Sequence, residues 1–256
     1  MTEDVAPILI TGCSSAIGRA TAVRLARAGR TVVATARQAE SIAELERVGC
    51  RVLPLEVSVE ESMVDALRAV ESDLGPVWAL VNNAEYGELG TIEETPIGAV
   101  HRQFETNVFG LARLCQLVLP RMRAAGRGRI VNVGAAIGTV GLATAGFHSA
   151  SRNAVAAITE ALRCEVRPFG IAVSLVEPGP VRAGSGCTAG RAPRSVAALA
   201  GRYGTVATAL DDALARTFGR PLVRVSPDRV AAVIQRALSA TTPRPRYPVR
   251  AAGPAS

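Results

Sequence analysis

Short, mostly apolar runs recur along this chain, each followed by a longer amphipathic stretch, and that rhythm leaves few architectures open. The runs fall at residues 8–10, 31–36, 51–57, 78–82, 129–134 and 172–176. Between them, apolar positions repeat at helical spacing over 18–28, 39–48, 60–74, 97–124 and 147–166. A strand without polar alternation is buried on both faces, and strands joined through helices run parallel. The expectation is an α/β fold, a doubly wound parallel sheet of about seven strands with helices on both faces. The seventh strand is short and lies at 246–249.

After Pro178 the rhythm breaks. Residues 180–226 are rich in Gly, Ala, Ser and Arg and read as a mobile substrate loop, interrupted by a helix at about 206–217. Ser226 followed by Pro227 is an N-cap with proline at the first helical position, so a last helix starts there. The end, AAGPAS (250–256 with Arg250), reads as a disordered tail. With no internal repeat and no linker, residues 1–256 form one domain.

Composition narrows the function classes. The chain has 256 residues and a net charge of +7, yet every basic residue counted is arginine and none is lysine. Schiff-base and lysine proton-relay chemistry are therefore excluded. Only Arg121, Arg123, Arg127 and Arg129 cluster, which is too little for a continuous phosphate-facing patch, so no nucleic-acid partner is expected. The five cysteines show no metal-ligand spacing, so no metal site is expected and the thiols read as reduced. No apolar run reaches the ~18 residues of a membrane span, and MTEDVAP is no signal peptide. A cytoplasmic protein without a membrane partner follows from these readings.

The first strand ends in TGCSSAIG, Thr11–Gly18. Glycines at a strand-to-helix turn let a pyrophosphate approach backbone N–H groups at the positive helix end. Arg37 closes the second strand, where an acid would accept from a ribose 2′-hydroxyl and an arginine would pair with a 2′-phosphate. NADP(H) is favoured over NAD(H) on that residue.

TGCSSAIG, Asn82-Asn83-Ala84, Asn107 in FETNVFG, Val131-Asn132-Val133 and Pro178-Gly179-Pro180-Val181 occur in an order that resembles the short-chain dehydrogenase/reductase family. NNAEYGELGTIEET and the ending SPDRVAAVIQRAL resemble its hydroxysteroid and retinol dehydrogenase-like branch. The resemblance implies a Rossmann fold, alcohol–ketone interconversion and a homodimer or homotetramer. It also implies a dinucleotide lying on Gly12, Ser14, Ser15, Ile17 and Gly18. The adenine would lie by Glu56 and Val57, a ribose by Asn83, Ala84 and Arg152, and the nicotinamide by Pro178, Gly179 and Val181. Ala16 replaces a family glycine, Glu56 an aspartate, and Glu85 the glycine of the NNAG motif. Glu85 would set a bulky anion near the ribose, where size and charge both oppose the dinucleotide, or would point out to solvent; the sequence leaves both open.

Family members react through Asn, Ser, Tyr and Lys. Here Asn107 matches the Asn, while Ala135, His148 and Arg152 fall in the Ser, Tyr and Lys positions. A register one residue earlier would put Phe147 in the Tyr position and lose the fit of Ala150-Ser151. His148 and Arg152 are one helical turn apart on one face. An imidazole can act as general acid or base, and a neighbouring arginine lowers its pKa but cannot itself pass protons. Glu85 could pair with His148. Tyr86, Val140, Leu142 and Phe147 would form a hydrophobic substrate site. Three readings stay open: an oxidoreductase with His148 as proton donor; a dehydratase, isomerase or cyclase on the same scaffold; and a silent relative that binds a ligand or partner.

Overall fold

The computed structural model describes residues 6–136, 141, 143–181, 203–205 and 224–250. Among these residues seven strands form one sheet: β1 Ile8–Ile10, β2 Val32–Ala36, β3 Arg51–Pro54, β4 Ala79–Asn82, β5 Gly128–Val133, β6 Ile171–Pro178 and β7 Arg246–Val249. Their order is β3-β2-β1-β4-β5-β6-β7, and every pairing is parallel. This is the doubly wound Rossmann arrangement, whose strand order reverses between β1 and β4 and leaves a crevice at their carboxyl ends. The helices are α1 Ala16–Arg27, α2 Glu60–Leu74, α3 Ile97–Phe104, α4 Gly110–Ala124, α5 Gly146–Val166 and α6 Pro227–Ser239.

Alternate residues of each strand face opposite layers. Ile8 and Ile10 pack with Leu25 of α1 and with Ile234 and Leu238 of α6. Leu9, between them, packs in the other layer with Leu114 of α4 and Val155 of α5. Every residue of β1, β2 and β4 is buried, which is why their sequences lack a polar phase. Ser226 caps α6 as expected, accepting from the Arg229 N–H.

Three expected elements differ. The strand read as 51–57 stops at Pro54, beyond which Glu56 and Ser58 turn towards α2. The stretch at Ala39–Val48 is 3-10 helix with a non-helical residue at Ile42. The single helix read over 97–124 is interrupted by a π turn at Glu105–Phe109, between α3 and α4. A π turn inserts one residue into the helical ladder, so an unbroken apolar periodicity does not reveal it. Val140, Leu142, most of the loop at 180–226 with its helix at 206–217, and residues 251–256 lie outside the described residues. No described helix is long and apolar enough to cross a membrane.

Candidate active site

The crevice between β1 and β4 is built first from backbone. Gly12 has a φ of +68°, and a Cβ there would lie 2.7 Å from Ala84 Cα. Only glycine allows the turn after β1 to meet the end of β4 this closely. A Cβ at Gly18 would lie 2.5 Å from the Gly12 oxygen and 2.7 Å from Asn83 Nδ2, so helix and turn are pressed together as well. Asn83 ties them: its amide donates to the carbonyls of Thr11 (2.9 Å) and Gly12 (3.1 Å) and to Ser15 Oγ (3.1 Å). Thr11 Oγ1 in turn accepts from the backbone N–H groups of Asn83 and Ala84.

Ser15 is the N-cap of α1 and accepts from the Gly18 N–H at 3.1 Å. The helix starts at Ala16, so the N–H groups of Ala16 and Ile17 have no intrahelical acceptor. Open donors at a positive helix end, facing a sheet crevice, are a donor set that fits a pyrophosphate. At the outer end, Arg37 is three-quarters exposed and only loosely engaged, its Nε 3.8 Å from Glu56. Glu56 is held from the other side by the Ser58 hydroxyl at 3.0 Å. On the far wall, Pro178 ends β6, the Gly179 N–H donates to the Val249 carbonyl, and Val181 bridges to Val225.

The second half of the site is made of side chains. Asn107 sits on the π turn and is buried. Its Oδ1 accepts from the Tyr86 N–H at 2.8 Å, and its Nδ2 donates to the Tyr86 carbonyl at 2.8 Å and to Ser151 Oγ at 3.1 Å. Both ends of the amide are thus committed, and Asn107 acts as a clamp between the loop after β4 and helix α5. Tyr86 donates its hydroxyl to Glu88, and that hydrogen bond raises its pKa. Its hydroxyl is therefore engaged by the same loop.

Arg152 is almost wholly buried, with its side chain 3% exposed. One Nη donates to the Val133 carbonyl at 3.4 Å, the other pairs with the Glu85 carboxylate, and Nε has no partner. The expected ribose-gripping arginine is thus held by the residue that stands in place of the NNAG glycine. His148, one turn earlier on α5, keeps a buried Nδ1 that has no partner among the described residues and faces Gly87. Its pKa is lowered, first by burial, then by the Arg152 charge, and partly restored by Glu85. Glu85 was expected as a possible partner of His148; its direct contact is with Arg152 instead, because a guanidinium offers a fork to a carboxylate.

Ala135 follows β5 and carries no donor. Phe147 is half-buried on the first turn of α5. The structure thus brings Asn107, His148, Arg152, Glu85 and Tyr86 to one place, beside the cradle of Gly12, Ser14, Ser15, Ile17, Gly18, Asn83 and Ala84. The sequence reading missed Thr144. This residue has a φ of +60° and a buried hydroxyl with no partner, four residues before His148. Threonine in the left-handed region is rare and marks local strain at functional loops. Nothing in its sequence context signals that conformation.

A family model described as short chain dehydrogenase matches residues 6–191. The chain is 40% identical over 178 residues to a 3-ketodihydrosphingosine reductase of Bacteroides thetaiotaomicron, covering 69% of this chain and 64% of that protein. It is 37% identical over 191 residues to retinol dehydrogenase 8 of Bos taurus, covering 71% and 61% respectively. The matched stretch spans under two thirds of each of these relatives. A short-chain dehydrogenase structure from Streptomyces avermitilis superposes with a TM-score of 0.84 at 31% identity, covering 97% of this chain and 89% of that one.

Proposed function

The chain belongs to the short chain dehydrogenase family, and on that premise we propose that it is an NADP(H)-dependent oxidoreductase acting on a hydrophobic alcohol or carbonyl compound. The observation that carries this reading is His148. It is a buried imidazole with an uncommitted nitrogen, beside the sheet crevice and one turn from a buried arginine. Gly12 and Gly18 shape the cradle, the N–H groups of Ala16 and Ile17 would hold the pyrophosphate, and Arg37 would face a 2′-phosphate. When bound, the dinucleotide supplies the hydride donor or acceptor. Relatives named for a ketodihydrosphingosine and for retinol support a hydrophobic substrate.

The chain's own chemistry departs from the family's at the proton. With its pKa pushed below 6.5, His148 is neutral at pH 7, which suits taking a proton from an alcohol more than giving one to a ketone. Arg152 maintains that state and moves no proton. Asn107 positions the loop that carries Glu85 and Tyr86. Phe109, exposed where α4 begins, supports a homodimer or homotetramer.

Titration of NADPH and NADH by calorimetry tests the reading. Binding of NADPH, and turnover that disappears in His148→Ala, is the expected result. Absence of NADPH binding at about millimolar concentration, where even weak complexes form, would overturn it. One observation favours a second reading, a dehydratase, isomerase or cyclase using His148 without a dinucleotide. That observation is the Glu85 carboxylate on Arg152, at the end of the crevice where the ribose would be gripped.

A further inference from the structure

The pair of Glu85 and Arg152 is unequal in a way that points to a ligand. Arg152 is fixed: 3% exposed, anchored to the Val133 carbonyl, and in the second turn of α5. Glu85 is 52% exposed, on the loop just after β4, and among the described residues only Arg152 holds its carboxylate. Rotating Glu85 into water costs it little, since a carboxylate is well hydrated there. Arg152 has no such exit, and without a counter-charge it would be an uncompensated buried cation with a second unpartnered nitrogen at Nε. An uncompensated buried charge is among the least favourable arrangements in a protein. The exchange is therefore favourable only if whatever replaces Glu85 is itself an anion. A neutral hydroxyl or carbonyl leaves the charge uncovered.

We propose that Arg152 is the recognition site for a ligand carboxylate, and that Glu85 is the protein's own stand-in for that group. The place fits a small carboxylic acid with an apolar body. It lies at the carboxyl ends of β4 and β5, beside the point where the strand order reverses and where ligands of open α/β sheets bind. His148 is one turn away on the same helix, about 6 Å at Cβ, so a carboxylate on Arg152 brings the adjoining carbons of the ligand towards the imidazole. The apolar body has Phe147, half-buried on the first turn of α5, and the exposed Ile92, which packs against Gly146 at the start of that helix. Glu88, the next carboxylate along the loop, is engaged by the Tyr86 hydroxyl.

The proposal rests on the reading that this cleft binds the alcohol or carbonyl substrate, and it narrows that class to hydrophobic acids that carry the reacting hydroxyl or oxo group beside a carboxylate. Hexanoate and its neutral counterpart hexan-1-ol are the probes, titrated by calorimetry and by NMR of the His148 imidazole. In Glu85→Ala the tethered competitor is gone, so hexanoate should bind at least about tenfold more tightly than in the unaltered protein, where the stand-in competes at an effective millimolar concentration. Hexan-1-ol should change little between the two. Arg152→Met should abolish hexanoate binding, and Arg152→Lys should restore part of it. Glu85→Gln, which keeps size and one acceptor, serves if Glu85→Ala does not fold. In the unaltered protein, millimolar hexanoate should still shift the His148 resonances.

Equal binding of hexanoate and hexan-1-ol, or hexanoate binding untouched by Arg152→Met, overturns the proposal. NADPH is titrated into the same samples. NADPH binding without any hexanoate binding sinks the carboxylate site alone, and hexanoate binding without NADPH sinks the dinucleotide reading alone.

Discussion

The two halves of the cleft are built from different materials. The cradle from Gly12 to Gly18 is backbone held against backbone, with Asn83 as its tie. The centre around α5 is side chain held against side chain: Asn107 on Tyr86, Glu85 on Arg152, and a solitary His148. A backbone site tolerates exchange wherever the new side chain points away from the close approach. A side-chain site changes its chemistry with each exchange, and here its charges are set by the Glu85–Arg152 ion pair.

That contrast can be broken most sharply at Gly12. Gly12→Ala sets a methyl 2.7 Å from Ala84 Cα at a φ of +68°, and a loss of about 2–4 kcal/mol in urea unfolding is expected. An unchanged midpoint would show that the cradle is not fixed by close approach.

Asn107→Ala removes three hydrogen bonds and should cost about 2–3 kcal/mol, with Tyr86 and Glu85 released together. Hydrogen exchange at the Tyr86 amide should accelerate; a protected amide would show that Asn107 is no clamp. Glu85→Gln keeps an acceptor but not the charge. Its expected cost is about 1–2 kcal/mol, below that of a fully buried pair because Glu85 is half-exposed. A more stable variant would mean that Arg152 is solvated.

His148 gives the contrast a pH signature. Its folded pKa is lowered below 6.5, so the unfolded chain binds more protons, and this contribution to stability is complete above pH 6.5. It is lost as pH falls from 6.5 through the folded value. His148→Phe should flatten that part of the pH–stability curve, and turnover by the unaltered protein should persist below pH 6.5. A turnover midpoint at or above 6.5 would show an imidazole that is not desolvated. Arg37 lies at the smallest end: exposed as it is, Arg37→Glu should alter stability by no more than about 0.5 kcal/mol. The ratio of NADPH to NADH affinity should nevertheless fall about tenfold or more, since a charge-assisted phosphate contact is lost. An unchanged ratio would remove Arg37 from the ligand site.

Much of this was legible in the residues. The parallel sheet follows from apolar runs joined by helices, and His148 and Arg152 fall on one face because helical spacing is regular. The π turn was hidden, since Glu105–Phe109 keeps helical periodicity while its ladder is offset. The engagement of Tyr86 by Glu88 and the strain at Thr144 were hidden too, because both depend on where a loop is pinned.

The sequence by itself determined the doubly wound sheet, the glycine turn and the spacing that sets His148 and Arg152 one turn apart on α5. These are properties of residue type and spacing. Only the tertiary structure decided which partner Glu85 takes, that Asn107 is spent on a backbone clamp, and that His148 holds a bare buried nitrogen. A charge pair across 67 residues is set by how two loops meet and by what each side chain can bury, and neither quantity is a function of local spacing.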